Sequence, residues 1–171
     1  WDALLSDPGR LDRFSYATGD SLDRPWRLEA GRFISQDVPE YGIVDGAEVR
    51  HQITPRIRVG VSTGLLPEPF PNLRITDDLH IGTYCRWVAD EAETLSTVIA
   101  YQKTWFHGTP DRDLAIWSVS YFPGPRFWVS GTVWGDFYTA RDKLESVPFE
   151  ISQALIQPVL RIDASRGLGV N

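Results

Sequence analysis

A chain of 171 residues is one domain's worth and long enough to bury a core. Its formal net charge of −6 argues against a nucleic-acid surface, which would carry a basic patch. The single cysteine, Cys85, excludes an internal disulfide and a thiolate metal cluster.

Taken in chain order, 10–18 is the first candidate strand, followed by 26–34 and 44–53. The clearest is 56–65, where Ile57, Val59, Val61, Thr63 and Leu65 alternate with Arg56, Arg58, Gly60, Ser62 and Gly64. Strand 80–89 sets Ile81, Thr83, Cys85, Trp87 and Ala89 opposite His80, Gly82, Tyr84, Arg86 and Val88. Segments 95–106 and 113–122 follow with less clean faces. Strand 126–138 places Phe127, Val129, Gly131, Val133, Gly135 and Phe137 opposite Trp128, Ser130, Thr132, Trp134 and Asp136. Stretch 139–147 has room for a helical turn, and 148–157 reads as a weaker strand. No run approaches 18 apolar residues, so no transmembrane helix is expected. The chain opens on Trp1, contains no Met and lacks a charged-then-apolar leader, which suits a mature form or an excised portion of something longer.

Short and long connections alternate. Thr54-Pro55, Asp90-Glu91-Ala92-Glu93 and Pro123-Gly124-Pro125 read as tight hairpin turns, whereas 35–43, 66–79, 107–112 and 139–147 are longer and rich in Pro, Gly, Asp and Arg. An up-and-down antiparallel meander with the turns at 54–55, 90–93 and 123–125 at one end and 66–79 and 107–112 at the other is expected. Transmembrane barrels keep that asymmetry.

Alternation alone suits a lipid-facing set as well as a soluble core. Three features favour lipid. Phe127 and Phe137 bracket one apolar face ten residues apart, which at ~3.3 Å per residue and a tilt near 40° spans roughly 25 Å, the height of a barrel's apolar band. Leu95 and Trp105 do the same on another strand, so Trp105, Phe127 and Phe137 are candidates for an interfacial aromatic girdle. The opposite faces hold Ser, Thr, Gly, Gln, Arg and Tyr, and 15 of the 17 basic residues are Arg, leaving little of the Lys that guards soluble sheets. Finally, most of the seven Trp and six Tyr fall within strands or at their ends. The same aromatics would also pack a soluble β-sandwich or lipocalin-like core. Lys103 interrupts the lipid picture, since it shares a face with Ile99, Tyr101 and Trp105 and would have to reach an interface.

The run Gly31-Arg32-Phe33, then Val44-Asp45-Gly46, then Arg56-Ile57-Arg58-Val59-Gly60-Val61 through Gly64-Leu65-Leu66-Pro67, resembles bacterial outer-membrane β-barrel proteins of porin-like type. Asp111-Arg112-Asp113 before an alternating strand is similar in style. The resemblance covers about 25–140 and implies a barrel in a Gram-negative outer membrane, with no substrate and no catalytic residue to carry over. Such barrels usually close on a terminal aromatic, whereas this chain ends Leu168-Gly169-Val170-Asn171, so a small barrel or part of a larger one is implied.

P-loop, GxGxxG, HExxH and GxSxG motifs are absent. His51, His80 and His107 are about thirty residues apart, a weak basis for a metal site, and no metal or cofactor is expected. The 107–113 segment gathers acids and bases but reads more simply as a turn with solvated charges. Asp136, flanked by Trp134 and Tyr138, suits a sugar site in principle. Glu48, Arg50, Arg56, Arg58 and Arg86, together with Ser130, Thr132 and Asp136, are the candidates for an interior wall. The expected fold is therefore all-β over 1–171, a meander forming a β-barrel or part of one, with Ile57, Val59, Val61, Val129, Val133 and Phe137 on its outer surface. The expected function is a pore, transport component or envelope scaffold rather than an enzyme. Membrane lipid and other envelope proteins or barrel subunits would be its partners. The alternative is a soluble all-β domain binding carbohydrate or another ligand through Trp128, Trp134 and Tyr138.

Overall fold

Side chains alternating with period two can satisfy two environments only if the backbone is extended and paired, and that is what this chain does. The computed structural model describes residues 13–21, 24–67, 75–137, 148–163 and 168–170. Ten strands form one sheet: β1 (Phe14–Ser21), β2 (Arg24–Ile34), β3 (Ile43–Thr54), β4 (Ile57–Pro67), β5 (Ile75–Val88), β6 (Leu95–Phe106), β7 (Thr109–Gly124), β8 (Phe127–Phe137), β9 (Phe149–Asp163) and β10 (Leu168–Val170). Each pairs antiparallel with its neighbour in sequence, and the sheet is not closed, so β1 and β10 are its edges. The only helical element among the described residues is a 3₁₀ turn, Pro39–Tyr41.

The meander puts the links at 55–56, 89–94 and 125–126 at one end (the turn end) and those at 35–42 and 107–108, with the Pro67 end of β4 and the Ile75 end of β5, at the other (the loop end). Several boundaries differ from expectation: β4 and β5 take up both ends of the expected 66–79 link, and β9 runs on to Asp163 past the expected 157. Positions 109–112 belong to β7, and the link before it is only His107-Gly108, both at positive φ (50° and 78°) as a two-residue turn with the hairpin's own twist requires. The tight turn expected at 123–125 falls at Pro125-Arg126, with Gly124 paired to Phe127. The expected helical turn at 139–147 lies outside the described residues.

Register shows how differently the two faces are treated. One continuous row across six strands is Leu28, Val49, Val61, Thr83, Tyr101 and Ala115. The adjacent row is Glu29, Glu48, Ser62, Gly82, Gln102 and Leu114. The first row is exposed except for half-buried Ala115, and the second is buried throughout. Ile57, Val59, Val129 and Val133 are half-buried and Val61 and Phe137 exposed, all on the first, outer face.

The inner face curls round the 35–42 loop, whose residues touch side chains or carbonyls of β3, β4, β5, β6 and β7. A small core forms there from Val38, Tyr41, Tyr84, Val98, Ala100, Leu114 and Ile116, with Trp134 packed on it. Two glycines make it possible. A Cβ on Gly60 would sit 2.3 Å from the Tyr84 ring, and one on Gly82 would sit 2.7 Å from the Tyr41 ring. Gly60→Ala should therefore destabilise the fold by about 1–3 kcal/mol through overpacking. Adding Tyr84→Ala should leave a total well below the sum of the two single losses. Urea titration would expose additive losses, which would mean that the ring is not seated on the glycine.

Candidate functional site

The inner face is organised around Asp37. Ser35 Oγ accepts a hydrogen bond from the Val38 amide at 3.2 Å, and Pro39 opens the 3₁₀ turn, which ends when the Gly42 amide reaches the Pro39 carbonyl at 3.0 Å with φ of 79°. This turns Val38 and Tyr41 into the core, where Val38 is 0% exposed. The Tyr41 hydroxyl donates to the Thr83 carbonyl at 2.8 Å, with the Tyr101 carbonyl 3.1 Å away. Asp37 is thereby carried among long side chains that rise from the sheet. Arg58 Nη1 donates to Oδ1 at 3.0 Å, Arg86 Nε lies 3.6 Å from Oδ1, and Arg50 Nη1 lies 3.7 Å from Oδ2. The Tyr84 hydroxyl donates to Oδ2 at 3.0 Å and lies 3.3 Å from Glu48 Oε1. Gln36 accepts from Arg50 at 2.9 Å, and Glu40 accepts from Ser118 at 2.7 Å, tying the loop to β7.

The predicted interior residues fall into three groups. Glu48 and Arg50 are buried, and Arg58 and Arg86 half-buried, in the Asp37 cluster; Arg86 also forms a bidentate pair with Glu93 at 2.6 and 3.1 Å. Arg56 occupies the 55–56 turn and is exposed, bordering the same cavity as Arg58 and Arg86. Ser130, Thr132 and Asp136 lie on the inner face of β8, outside the cluster; Asp136 is held by Arg112, with a second contact of 2.8 Å, and Thr132 lies 3.3 Å from Ser118, which also bonds Glu40. Of the alternative carbohydrate platform, only the two tryptophans fall among the described residues. Trp128 and Trp134 are six residues apart on one strand, roughly 20 Å; Trp128 stacks on Phe122 at 5.5 Å, and Tyr138 lies outside the described residues. Of 111–113, Asp111 and Arg112 both border the inner face at the loop end, at the register shift, and Asp113 turns outward to Lys103.

The histidines are scattered too. His51 stacks on Trp26 on the outer face, with ring centroids 4.0 Å apart, and His107 sits in its turn. His80 Nε2 is 3.3 Å from Ser62 Oγ, and its Nδ1 is 3.0 Å from Gln102 Nε2. That arrangement has the outline of a nucleophile and its base, but all three residues are buried, and the Tyr41 ring packs 4.9 Å from the His80 ring. It fills space and pairs polar atoms. Among the described residues no group of three His, Cys, Asp or Glu is placed to hold a metal ion.

The outer face is apolar and uncovered. Ile99 is 64% exposed and Val61 52%, and Leu28, Val49, Ile81 and Trp117 are exposed around them. Aromatics on this face occur at the strand ends and also within the strands at Tyr16, Tyr101 and Trp117. Trp26, Trp87, Tyr121 and Phe127 lie toward the turn end, and Phe14, Trp105, Phe137 and Phe149 toward the loop end. Of the three girdle candidates, Phe127 and Phe137 are exposed and Trp105 half-buried. Charges on this face are paired near the loop end. Arg32 grips Asp45 with two contacts of 2.6 Å, and Lys103 Nζ reaches both Asp113 oxygens at 2.7 and 2.8 Å while Tyr101 donates to the same carboxylate. Lys103 therefore does face outward, and Asp113 neutralises it.

Neither the Asp37 loop nor the outer ion pairs were foreseen. The hint in the sequence was two apolar residues, Val38 and Tyr41, in a segment otherwise typical of a solvated loop. Comparison with protein-family models, with curated proteins and with solved structures returns no match.

Removing one partner of a buried ion cluster typically costs about 3–5 kcal/mol, because the remaining charges stay uncompensated. Asp37→Ala should lose stability on that scale and raise hydrogen-exchange rates across 35–42 while sparing the β6–β7 amides. Unchanged exchange in the loop would show that Asp37 does not hold it in place.

Proposed function

We propose that this chain is an outer-membrane β-barrel or a section of one, with the apolar face against lipid and the polar face toward a lumen that the 35–42 loop occupies. The observation that carries the reading is the inversion between adjacent rows: Leu28, Val49, Val61 and Tyr101 exposed, Glu29, Glu48, Ser62 and Gln102 buried. In water each large apolar side chain left exposed forgoes roughly 1.5–3 kcal/mol of burial energy, and soluble monomers seldom display contiguous apolar patches above a few hundred Å². In a bilayer the same distribution is the favourable one. Aromatics at both strand ends and outer charges paired near the loop end fit an apolar band bounded by interfaces. No helix among the described residues is long and apolar enough to cross a membrane, so any crossing would be made by strands.

A bilayer tolerates no unpaired strand edge. The reading therefore requires that β1 and the β9–β10 edge pair with further strands, from this polypeptide or another barrel subunit. As a lumen the inner face would hinder free diffusion, since the loop and the Arg cluster fill it from β3 to β7. A transport component or scaffold with a plugged interior fits that geometry better than an open pore. A Gram-negative outer membrane and partners among envelope proteins follow as part of the same proposal.

Arginine scanning tests it. In lipid vesicles Val61→Arg and Ile99→Arg should each cost about 2–4 kcal/mol, being near mid-band, whereas Phe137→Arg at the loop end should cost about 0–1 kcal/mol. In a soluble protein exposed Val61 and Ile99 would accept Arg within about 0.5 kcal/mol. Near-neutral Val61→Arg and Ile99→Arg, with the parent monodisperse in plain buffer, would sink the bilayer reading.

A further inference from the structure

The outer face is not evenly filled. A groove of about 730 Å³ crosses it from β5 to β8, lined by Thr83, Cys85, Ile99, Tyr101, Ala115 and Phe137, with Asp113 in its wall toward the loop end. Register explains the depression. Thr83, Tyr101, Ala115 and Gly135 form one row, and its last two members bring only a methyl group and a hydrogen where the next row carries Ile99, Trp117 and Val133. The Phe149 ring lies over Gly135, where a Cβ would meet it at 2.5 Å, and packs on Phe137 with ring centroids 5.0 Å apart. At its loop-end side the groove stops on charge. Lys103 Nζ donates to both Asp113 oxygens at 2.7 and 2.8 Å, and the Tyr101 hydroxyl donates to one of them. An ammonium has three donors and a carboxylate about four acceptor sites. Beyond their own contact, then, Lys103 has an N–H to give and Asp113 an acceptor site, on side chains that are 29% and 12% exposed.

We infer that the groove seats one phospholipid, with acyl chain on its apolar floor and a head of phosphate and primary ammonium on the Lys103–Asp113 pair. The inference rests on the bilayer reading and names the lipid that sits against this part of the face. Ile99, Ala115 and Phe137 offer no hydrogen-bonding side chain, so whatever fills the floor is hydrocarbon. The groove is continuous with the exposed apolar face around Val61, Ile81 and Trp117, so a chain reaches it from the bilayer without crossing water. The polar end selects the head. A phosphate oxygen accepts from Lys103, and a primary ammonium donates to Asp113, so the two dipoles lie antiparallel. A head of net negative charge brings an uncompensated anion to a pair that is already neutral. A quaternary ammonium has no N–H to give to Asp113.

The test uses the purified full chain in a short-chain polyoxyethylene detergent, given equal amounts of dioleoyl phosphatidylethanolamine, phosphatidylcholine and phosphatidylglycerol. Native mass spectrometry then counts the lipid retained. Phosphatidylethanolamine should be retained at about one per chain, roughly tenfold above either competitor. N-ethylmaleimide gives a second readout, because Cys85 is the only cysteine and is exposed in the groove. Phosphatidylethanolamine should slow its modification, and phosphatidylglycerol should not. Ala115→Trp, which fills the floor, should abolish retention, whereas Ile156→Trp, exposed on β9 outside the groove, should leave it unchanged. Lys103→Gln combined with Asp113→Asn keeps the pair neutral and should hold the three lipids alike. Far-UV circular dichroism checks that each variant is folded. Equal retention of the three lipids by the parent, no retention at all, or an Ala115→Trp chain that behaves like Ile156→Trp overturns the inference. Arginine scanning reads the bilayer proposal separately. A costly Val61→Arg in vesicles without selective lipid retention leaves that proposal standing and removes the site, while a chain monodisperse in plain buffer with near-neutral Val61→Arg removes both.

Discussion

The interaction on which the inner face depends is that between Asp37 and the guanidinium groups of Arg50, Arg58 and Arg86. Cations this close together on a concave wall repel one another and cannot be desolvated without counter-charge. Glu48 and Glu93 supply part of it from the sheet and its turn, and Asp37 the rest from a loop that must leave the rim to do so. Once the loop is inside, its apolar residues become filler. Tyr41 rests on Gly82, Val38 disappears beneath the surface, and Leu114, Ile116 and Val98 gain something to pack against. Electrostatics and packing therefore favour the same loop conformation, which is the consistency a single native state needs.

The outer face obeys a different rule. Much of its apolar surface is left uncovered by the protein, yet its charges are paired and partly buried. Arg32 and Asp45 neutralise each other across β2 and β3, as do Lys103 and Asp113 across β6 and β7, the latter pair with a tyrosine hydroxyl attached. Exposed ion pairs in water are worth little and are not needed for solubility. Cross-strand neutralisation at one end of an apolar band has a clear use where the dielectric falls, because it lets the strand continue without a lone charge entering lipid.

Much of the strand architecture was legible because its signals are local. Alternation in 56–65, 80–89 and 126–138 identifies both the strands and their faces, since a one-residue slip would move every side chain to the wrong side. The start of β7 was obscured by composition. Pro110 and Asp111-Arg112-Asp113 read as loop, but Pro110 sits opposite Trp105 at a register shift, and the charges find partners on neighbouring strands in Lys103 and Asp136. The inward loop was not legible, because what makes it fold inward is spread over long separations: Tyr84 lies 47 residues from Asp37, and Ser118 lies 78 from Glu40. Arg56, expected on the same wall, sits in the turn just before the strand begins, beside Arg58 and Arg86.

Charge along the inner face is also graded from end to end, which neither row pattern nor composition reveals. Arg50, Arg58 and Arg86 project from positions close to the turn end, and exposed Arg56 extends that region to the 55–56 link. Asp78, Asp111 and Glu40 gather at the loop end, where Arg112 is already engaged by Asp136. The 35–42 loop lies between the two regions, and Asp37 ties it to the arginine end. The same carboxylate that compensates the arginines therefore also holds the loop that divides the basic end of the inner face from the acidic one.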